Sequence, residues 1–299
     1  HGTAITVRLD PMTDPQKTNG VKRLIALRRE LPVLHAAGMF TFVDGLPEDV
    51  LAYTREKDGA RVLVVNAGVA PDLPDHAAML NTPVARGTAD FSQGPAMTEA
   101  QAQAALALGR EAFRREYDKG LDVLAVGEMG IANTTAASAI IATLTGKPVA
   151  EMTGRGTGVN DAALQHKVAV IEKALRVNQP TGADTLAKVG GFEIGAMAGA
   201  MIAAAEAGVV VMVDGLISTA AALLAAALAP GAEQYFVAGH RSVEPGHIYA
   251  LEKLGLTPLL DLDLRLGEGT GAVLALPILE AAMRTLNEMA TFGEAGVSE

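Results

Sequence analysis

Short continuous apolar runs alternate along this chain with longer segments in which apolar residues recur every three or four positions. A run of the first kind has the length of a strand buried on both faces, and a segment of the second kind has the period of a helix with one face inward. The runs are Met39 to Val43, Ala60 to Val65, Val123 to Val126, Val209 to Val213 and Tyr235 to Ala238. The pattern predicts helices over Pro47 to Lys57, from Thr98-Glu99 to Tyr117, and over Thr134 to Leu144, Asp161 to Val177, Gly190 to Ala207 and Ser218 to Leu228. In the Asp161 helix, Leu164, Val168, Ile171 and Leu175 share one face and Lys167 lies off it. An opening helix within residues 8–31 carries Val21, Leu24, Ile25 and Leu27 on one side and a solvated basic face on the other. Val69 to Pro95 shows no period, and its Pro, Asp and Gly content predicts a long loop that folds over something or forms an interface.

Strands alternating with helices predict an α/β fold built on a parallel sheet, whose ligands bind beyond the carboxyl ends of the strands. Polar residues recur at those ends: Gly127-Glu128-Met129-Gly130 after Val126, Asp214-Gly215 after Val213, and Gly239-His240-Arg241-Ser242 after Ala238. Two more glycine clusters stand at Gly154-Arg155-Gly156-Thr157-Gly158 and Gly267-Glu268-Gly269-Thr270-Gly271. Glycine lets backbone approach a ligand closely, and Asn133 and Thr134 are good N-cap residues for a helix whose first turn would hold an anion, phosphate being the obvious candidate. Glu128 and Glu268 sit beside these glycines as candidates for proton transfer, although Glu128 also suits a helix cap. Asp214 either binds a ribose or orients a loop through backbone hydrogen bonds. His240 and His247 lack a third ligand and are read as loop or dimer-contact residues.

Composition narrows the function classes. With 299 residues, 49% of them hydrophobic, the chain can bury the core of one α/β domain with a small helical lobe. A formal charge of -10 argues against a nucleic-acid binder, and the absence of cysteine excludes disulfides, thiolate metal sites and a cysteine nucleophile. Glu206, Asp214 and Gly215 interrupt the longest apolar stretch, so neither a membrane span nor a signal peptide is predicted, and the cytoplasm is the expected compartment. No GxxxxGK[ST] occurs, and neither GRGTG nor GEGTG fits GxGxxG, which disfavours P-loop and dinucleotide enzymes.

Six motifs taken in order, GEMGIANTT, GRGTGVND, VGGFEIGAMAG, VDGLISTAA, HRSVEPGH and LRLGEGTGA, resemble the nicotinate-nucleotide:dimethylbenzimidazole phosphoribosyltransferase family from about Ala60 to Ala282. The resemblance implies a parallel sheet of Rossmann-like topology flanked by helices, with a small helical lobe from the N- and C-terminal segments. It divides the chain into an N-terminal helical and lid segment, residues 1–59, and a catalytic nucleotide-binding domain, residues 60–299. It implies attack of a benzimidazole nitrogen on the ribose C1 of nicotinate mononucleotide, with release of nicotinate, and a homodimer supported by the small-residue helices. Glu268 stands where the family has its general base, with Gly267 beside it, and Glu128 where it has an auxiliary acid. Gly130, Asn133, Thr134, Thr135, Lys167 and Ser242 stand at positions that hold the nucleotide phosphate and its surroundings, with Asp214 and Gly215 nearby. The reaction needs no metal or cofactor, because a carboxylate can take the ring proton that the benzimidazole loses. The interval from Met39 to Gly59 is shorter than the family's, with Asp44-Gly45 in place of an Asp-His-Gly turn and no Tyr- and Gln-bearing loop after it, so the acceptor base is the least legible feature. Another acceptor, such as adenine, a second benzimidazole or a phenol, and a nucleotide-binding protein without turnover stand as alternatives.

Overall fold

The computed structural model describes residues 3–5, 39–42, 53–56, 60–71, 73, 79–156 and 159–296. The helix expected within residues 8–31 and the Asp44-Gly45 pair lie outside them. The main sheet has five parallel strands in the order β4-β1-β7-β8-β9, formed by Ala60–Val62 (β4), Thr3–Ile5 (β1), Val123–Ala125 (β7), Val210–Val213 (β8) and Phe236–Ala238 (β9). Two-stranded pairs accompany it. Val64–Asn66 (β5) runs parallel to Met79–Asn81 (β6), His240–Ser242 (β10) runs parallel to Leu260–Leu264 (β11), and Met39–Phe42 (β2) runs antiparallel to Tyr53–Glu56 (β3).

Three expectations change here. The helix read over Pro47 to Lys57 is a strand at 53–56, where the β-prone Tyr53 and Thr54 find a partner in β2. The single strand read over Ala60 to Val65 is divided between two sheets at Leu63. The aperiodic stretch from Val69 to Pro95 contains β6, whose three residues are too few to show a period.

Helices follow the strands: Glu99–Tyr117 (α1), Thr134–Thr145 (α2), Val149–Met152 (α3), Asp161–Asn178 (α4), Thr185–Val189 (α5), Phe192–Glu206 (α6), Leu216–Leu228 (α7), Gly246–Leu254 (α8) and Thr270–Glu288 (α9). Thr98 opens α1 with a reciprocal capping box to Gln101, and Gly146 closes α2 in the left-handed conformation. Helix α6 is buried almost all round, as a helix without a polar face must be, and it packs with α1, α2 and α7 in one large core over one face of the sheet. The small-residue helices α2, α6 and α7 are therefore interior, not a surface for a second copy. The opposite face is covered by the first turns of α9, whose Ala272 and Ala275 pack with Ala125 and Met212. Alternation along β7 and β8 sends Leu124, Val211 and Val213 into the large core and Ala125 and Met212 under α9. Among the described residues no helix is long and apolar enough to cross a membrane.

Candidate active site

Strand β7 delivers Glu128 to the carboxyl edge of the sheet. Its carboxylate accepts the backbone N–H of Gly130 and, at 2.8 Å, the amide of Asn133. Asn133 begins α2 without a side-chain cap bond: its NH2 group donates to Glu128, and its Oδ1, the atom that would accept a first-turn N–H, is buried without a partner. The cap expected of Asn133 is thus replaced by a carboxylate–amide pair. Burial pushes the Glu128 carboxyl up to about 7, and the negative charges of Asp214 and Glu193 act in the same direction against the hydrogen bonds from Asn133 and Gly130.

Glu268 reaches the same place from the loop between β11 and α9. Gly267, Glu268 and Gly269 have φ of 79°, 60° and 74°, three successive residues in the left-handed region. For Glu268 this conformation carries a steric cost of roughly 1–2 kcal/mol. The Glu268 N–H donates to the Glu128 carbonyl at 2.9 Å. Gly127 makes this crossing possible: a Cβ there would lie 2.2 Å from the nitrogen of Gly269 and 2.6 Å from the carbonyl carbon of Glu268. Burial raises the half-buried Glu268 carboxyl to about 8, and the charges of Glu128 and Asp214 add to the shift. Both carboxyls are thus raised toward neutrality, chiefly by burial, and the charge of Glu128 helps to raise Glu268.

Asp214, at the end of β8, is 1% exposed. One carboxylate oxygen accepts Gly269 N–H at 3.1 Å, and the other accepts Gly271 N–H at 2.7 Å and Ala272 N–H at 3.1 Å. Of the two roles open to Asp214, the observed hydrogen bonds are those of loop orientation. It caps α9 from another element, since Gly269 has no side chain with which to do so.

Gly215 begins α7, and its carbonyl accepts the hydroxyls of Ser218 at 3.0 Å and Thr219 at 2.7 Å. His247 is buried: Nδ1 accepts the Ser242 N–H at 2.9 Å, which assigns the ring proton to Nε2, 3.0 Å from the Thr219 hydroxyl. Burial lowers its pKa to about 3, with the positive charges of His240 and Arg241 in support, so the ring is neutral. Backbone of β10, ring of α8, hydroxyl of α7 and carbonyl of Gly215 form one chain of hydrogen bonds. His240 is also buried, its Nδ1 3.4 Å from Asp214. The loop or dimer-contact reading of the two histidines is corrected accordingly.

A third group gathers around Lys167. Its ammonium donates to the Thr134 hydroxyl at 2.9 Å and to the Gly154 carbonyl at 3.1 Å, two of three available donors. Burial lowers its pKa, opposed by Glu244. Gly156 packs on Thr134, where an added Cβ would stand 3.0 Å from the hydroxyl, and Arg265 holds the Gly156 carbonyl at 3.0 Å. The start of α2, the Gly154–Gly156 loop and Lys167 thus face one another, with Thr135 half-buried in the first helical turn.

A cavity of about 580 Å³ opens beside Glu128, walled by Leu63, Val65, Phe91, Phe113 and Met197, with Glu128, Asn133 and Glu193 among its polar groups. Its lining includes none of Glu268, Lys167 and Ser242. Asn133 borders the cavity while its neighbour Thr134 belongs to the Lys167 group, so an apolar chamber, a carboxylate pair and a cationic cradle follow one another along the strand ends. Among the described residues no group of three metal-ligating side chains occurs.

A family model described as Phosphoribosyltransferase matches residues 46–297. The chain belongs to this family. Among curated relatives, the nicotinate-nucleotide–dimethylbenzimidazole phosphoribosyltransferase of Chloroflexus aggregans is 59% identical over 244 residues, 81% of this chain and 69% of that protein. The enzyme of the same name from Roseiflexus sp. is 56% identical over 243 residues, 80% of this chain and 69% of its own. Among solved structures, CobT from Thermus thermophilus superposes with a TM-score of 0.78 at 42% identity, covering 100% of this chain and 85% of that one.

Set against this phosphoribosyltransferase architecture, the residues picked from sequence fall into three sets. Glu128, Glu268, Gly267, Gly130 and Asn133 meet around the Glu128 carboxylate and the loop bonded to it, while Thr134, Thr135 and Lys167 gather at the start of α2. Asp214, Gly215 and Ser242 support the loops behind them. Glu193 was missed. It stands in the first turn of α6 facing the cavity, and burial raises its pKa. Its signal was the acid placed directly after Gly190-Gly191-Phe192 at a helix start.

Proposed function

We propose that this phosphoribosyltransferase moves the phosphoribosyl group of nicotinate mononucleotide to 5,6-dimethylbenzimidazole, giving α-ribazole 5′-phosphate and nicotinate for the lower ligand of cobalamin. One ring nitrogen of the base attacks C1 of the ribose, the C1–N bond to nicotinate breaks with its electron pair, and the proton on the other ring nitrogen passes to Glu268. The observation that carries this reading is a pair of raised carboxyls, Glu128 at about 7 in the wall of an apolar chamber and Glu268 at about 8 on the loop bonded to the Glu128 backbone, where a carboxylate is strong enough to accept the ring proton. Glu128 assists as the second acid, and Lys167, Thr134 and the first-turn N–H groups of α2 take the 5′-phosphate. Gly130, Thr135 and Gly267 leave room for the nucleotide, and Asp214, Gly215 and Ser242 hold the surrounding loops.

A second reading keeps the donor and widens the acceptor to other benzimidazoles, adenine or phenols. The chamber wall is largely apolar, and such walls discriminate by only about 1–3 kcal/mol per methylene. The cytoplasm is the compartment in this reading, since a charged mononucleotide does not cross a membrane unaided. Two copies join through the exposed apolar residues of the last helix and its surroundings, Leu262, Leu266, Met283, Leu286, Met289 and Phe292. Nicotinate release from nicotinate mononucleotide, measured with and without 5,6-dimethylbenzimidazole, tests the reaction. Base-dependent release that Glu268→Gln abolishes supports it, and a wild-type protein that releases no nicotinate with any base refutes it. Light scattering at micromolar concentration tests the dimer.

A further inference from the structure

Glu268 stands in a backbone conformation that a residue with a side chain avoids, and the loop around it would relax if nothing held it. The peptide units on either side of its α-carbon are each held by their N–H. Its own N–H reaches the Glu128 carbonyl at 2.9 Å, and the N–H of Gly269 reaches Asp214 at 3.1 Å. Two fixed peptide planes fix the φ and ψ between them, and with these the direction of the Cβ bond. The second oxygen of Asp214 holds Gly271 and Ala272, so the same carboxylate ties this loop to the first turn of α9. Asp214 is rigid in turn, buried at the end of β8 beneath that helix.

We propose that Asp214 is a positioning residue for Glu268, aiming its carboxylate through the Gly269 tether and setting the charge it faces. The inference rests on the reaction proposed above for its kinetic test, but not for its structural one. The titratable groups around Asp214 are His240, whose Nδ1 lies 3.4 Å away, and the two glutamates, on both of which its charge acts.

Asp214→Asn separates the tether from the helix cap. Its one carbonyl oxygen can still accept Gly271 and Ala272, but its NH2 group then points at the N–H of Gly269, donor against donor. The expected result is a loss in kcat on the order of 100-fold with KM for the nucleotide little changed, the scale of a misplacement of about 1 Å. The acid limb of the pH–rate profile should also move to lower pH, because one negative charge beside Glu268 is gone. Asp214→Glu keeps the charge while displacing the carboxylate by one methylene, so it should lower kcat and leave that limb in place.

Amide hydrogen exchange reads the tether directly. Gly269 should exchange slowly in the wild type and fast in Asp214→Asn, with Gly271 and Ala272 still protected. Wild-type kcat and pH profile in Asp214→Asn would overturn the proposal, as would a Gly269 amide that stays protected. Equal loss of protection at all three amides, the mark of general loosening, would overturn it too. A wild-type protein that releases no nicotinate would refute the reaction alone, because the exchange experiment needs no turnover.

Discussion

Gly127→Ala is the smallest change that should separate the two glutamates. The added methyl would stand 2.2 Å from the nitrogen of Gly269, whereas ordinary contact begins at 3.4 Å, so the two backbones must part by about 1.2 Å. Both sides resist. Glu268 is bonded to the carbonyl of Glu128, one residue beyond the substitution, and Gly269 is held by Asp214. Overpacking of this kind costs typically about 1–3 kcal/mol of stability. Misplacement of a reacting group by about 1 Å costs on the order of 100-fold in rate, close to roughly 2.7 kcal/mol of transition-state stabilisation. The assay is steady-state nicotinate release with saturating base, alongside urea unfolding. Gly94→Ala is the control, since a Cβ there meets nothing within 4 Å, and it should change neither measurement. If Gly127→Ala keeps wild-type kcat, the carboxylate pair does not depend on this crossing, and the placement of Glu268 argued above is wrong.

Four further outcomes follow from the same geometry. The pH–rate profile should show an acid limb with an apparent pKa between about 7 and 8, and Glu128→Gln, which removes a neighbouring charge, should move that limb down; a limb near the ordinary carboxylate value would refute the coupling. Glu128 has a folded pKa of about 7 against an ordinary 4.5, so the folded state binds its proton more tightly, and up to about 3 kcal/mol of stability present below pH 4.5 should be lost as pH rises through 7; urea titrations across that window should show the fall. Lys167→Ala should raise KM for the nucleotide by roughly 10- to 100-fold, the worth of one charge-assisted hydrogen bond, with less effect on kcat, and a lone fall in kcat would contradict phosphate binding. His247→Ala should destabilise the fold by about 3 kcal/mol, because it opens a cavity and leaves the Ser242 N–H without its acceptor; an unchanged urea midpoint would remove His247 from the framework.

The sequence is most legible where one period governs one element. Helix α1 begins and ends where its cap and its pattern place it, and β8 shows as an unbroken branched run because both its faces are covered. The short pairs were harder. Leu260–Leu264 reads LDLDL, an alternation with charge on one side, yet its role depends on β10, which no local pattern reveals. The candidate site was legible as motifs and less so as roles. Asn133 carries the chemistry of a cap, but the side chain is turned so that its NH2 donates to the buried Glu128 carboxylate and its Oδ1 meets no first-turn N–H. Asp214 looks like a ligand contact until the three N–H groups that occupy it are brought from residues 269–272. Such partners lie far away in the chain and are backbone atoms, which leave no mark in side-chain spacing.

The contact between Gly127 and Gly269 is main chain on main chain, and this sets the terms on which the protein could be redesigned. A joint of backbone atoms has no side chain to exchange, so this edge of the sheet has no room for a bulkier residue at 127. The chamber wall is the opposite case: Leu63, Phe91, Phe113 and Met197 are reached by side chains from separate elements, each replaceable without disturbing the joint. Libraries aimed at new acceptors belong on that wall, with 127–128 and 267–269 held fixed as the hinge pin around which the rest is varied.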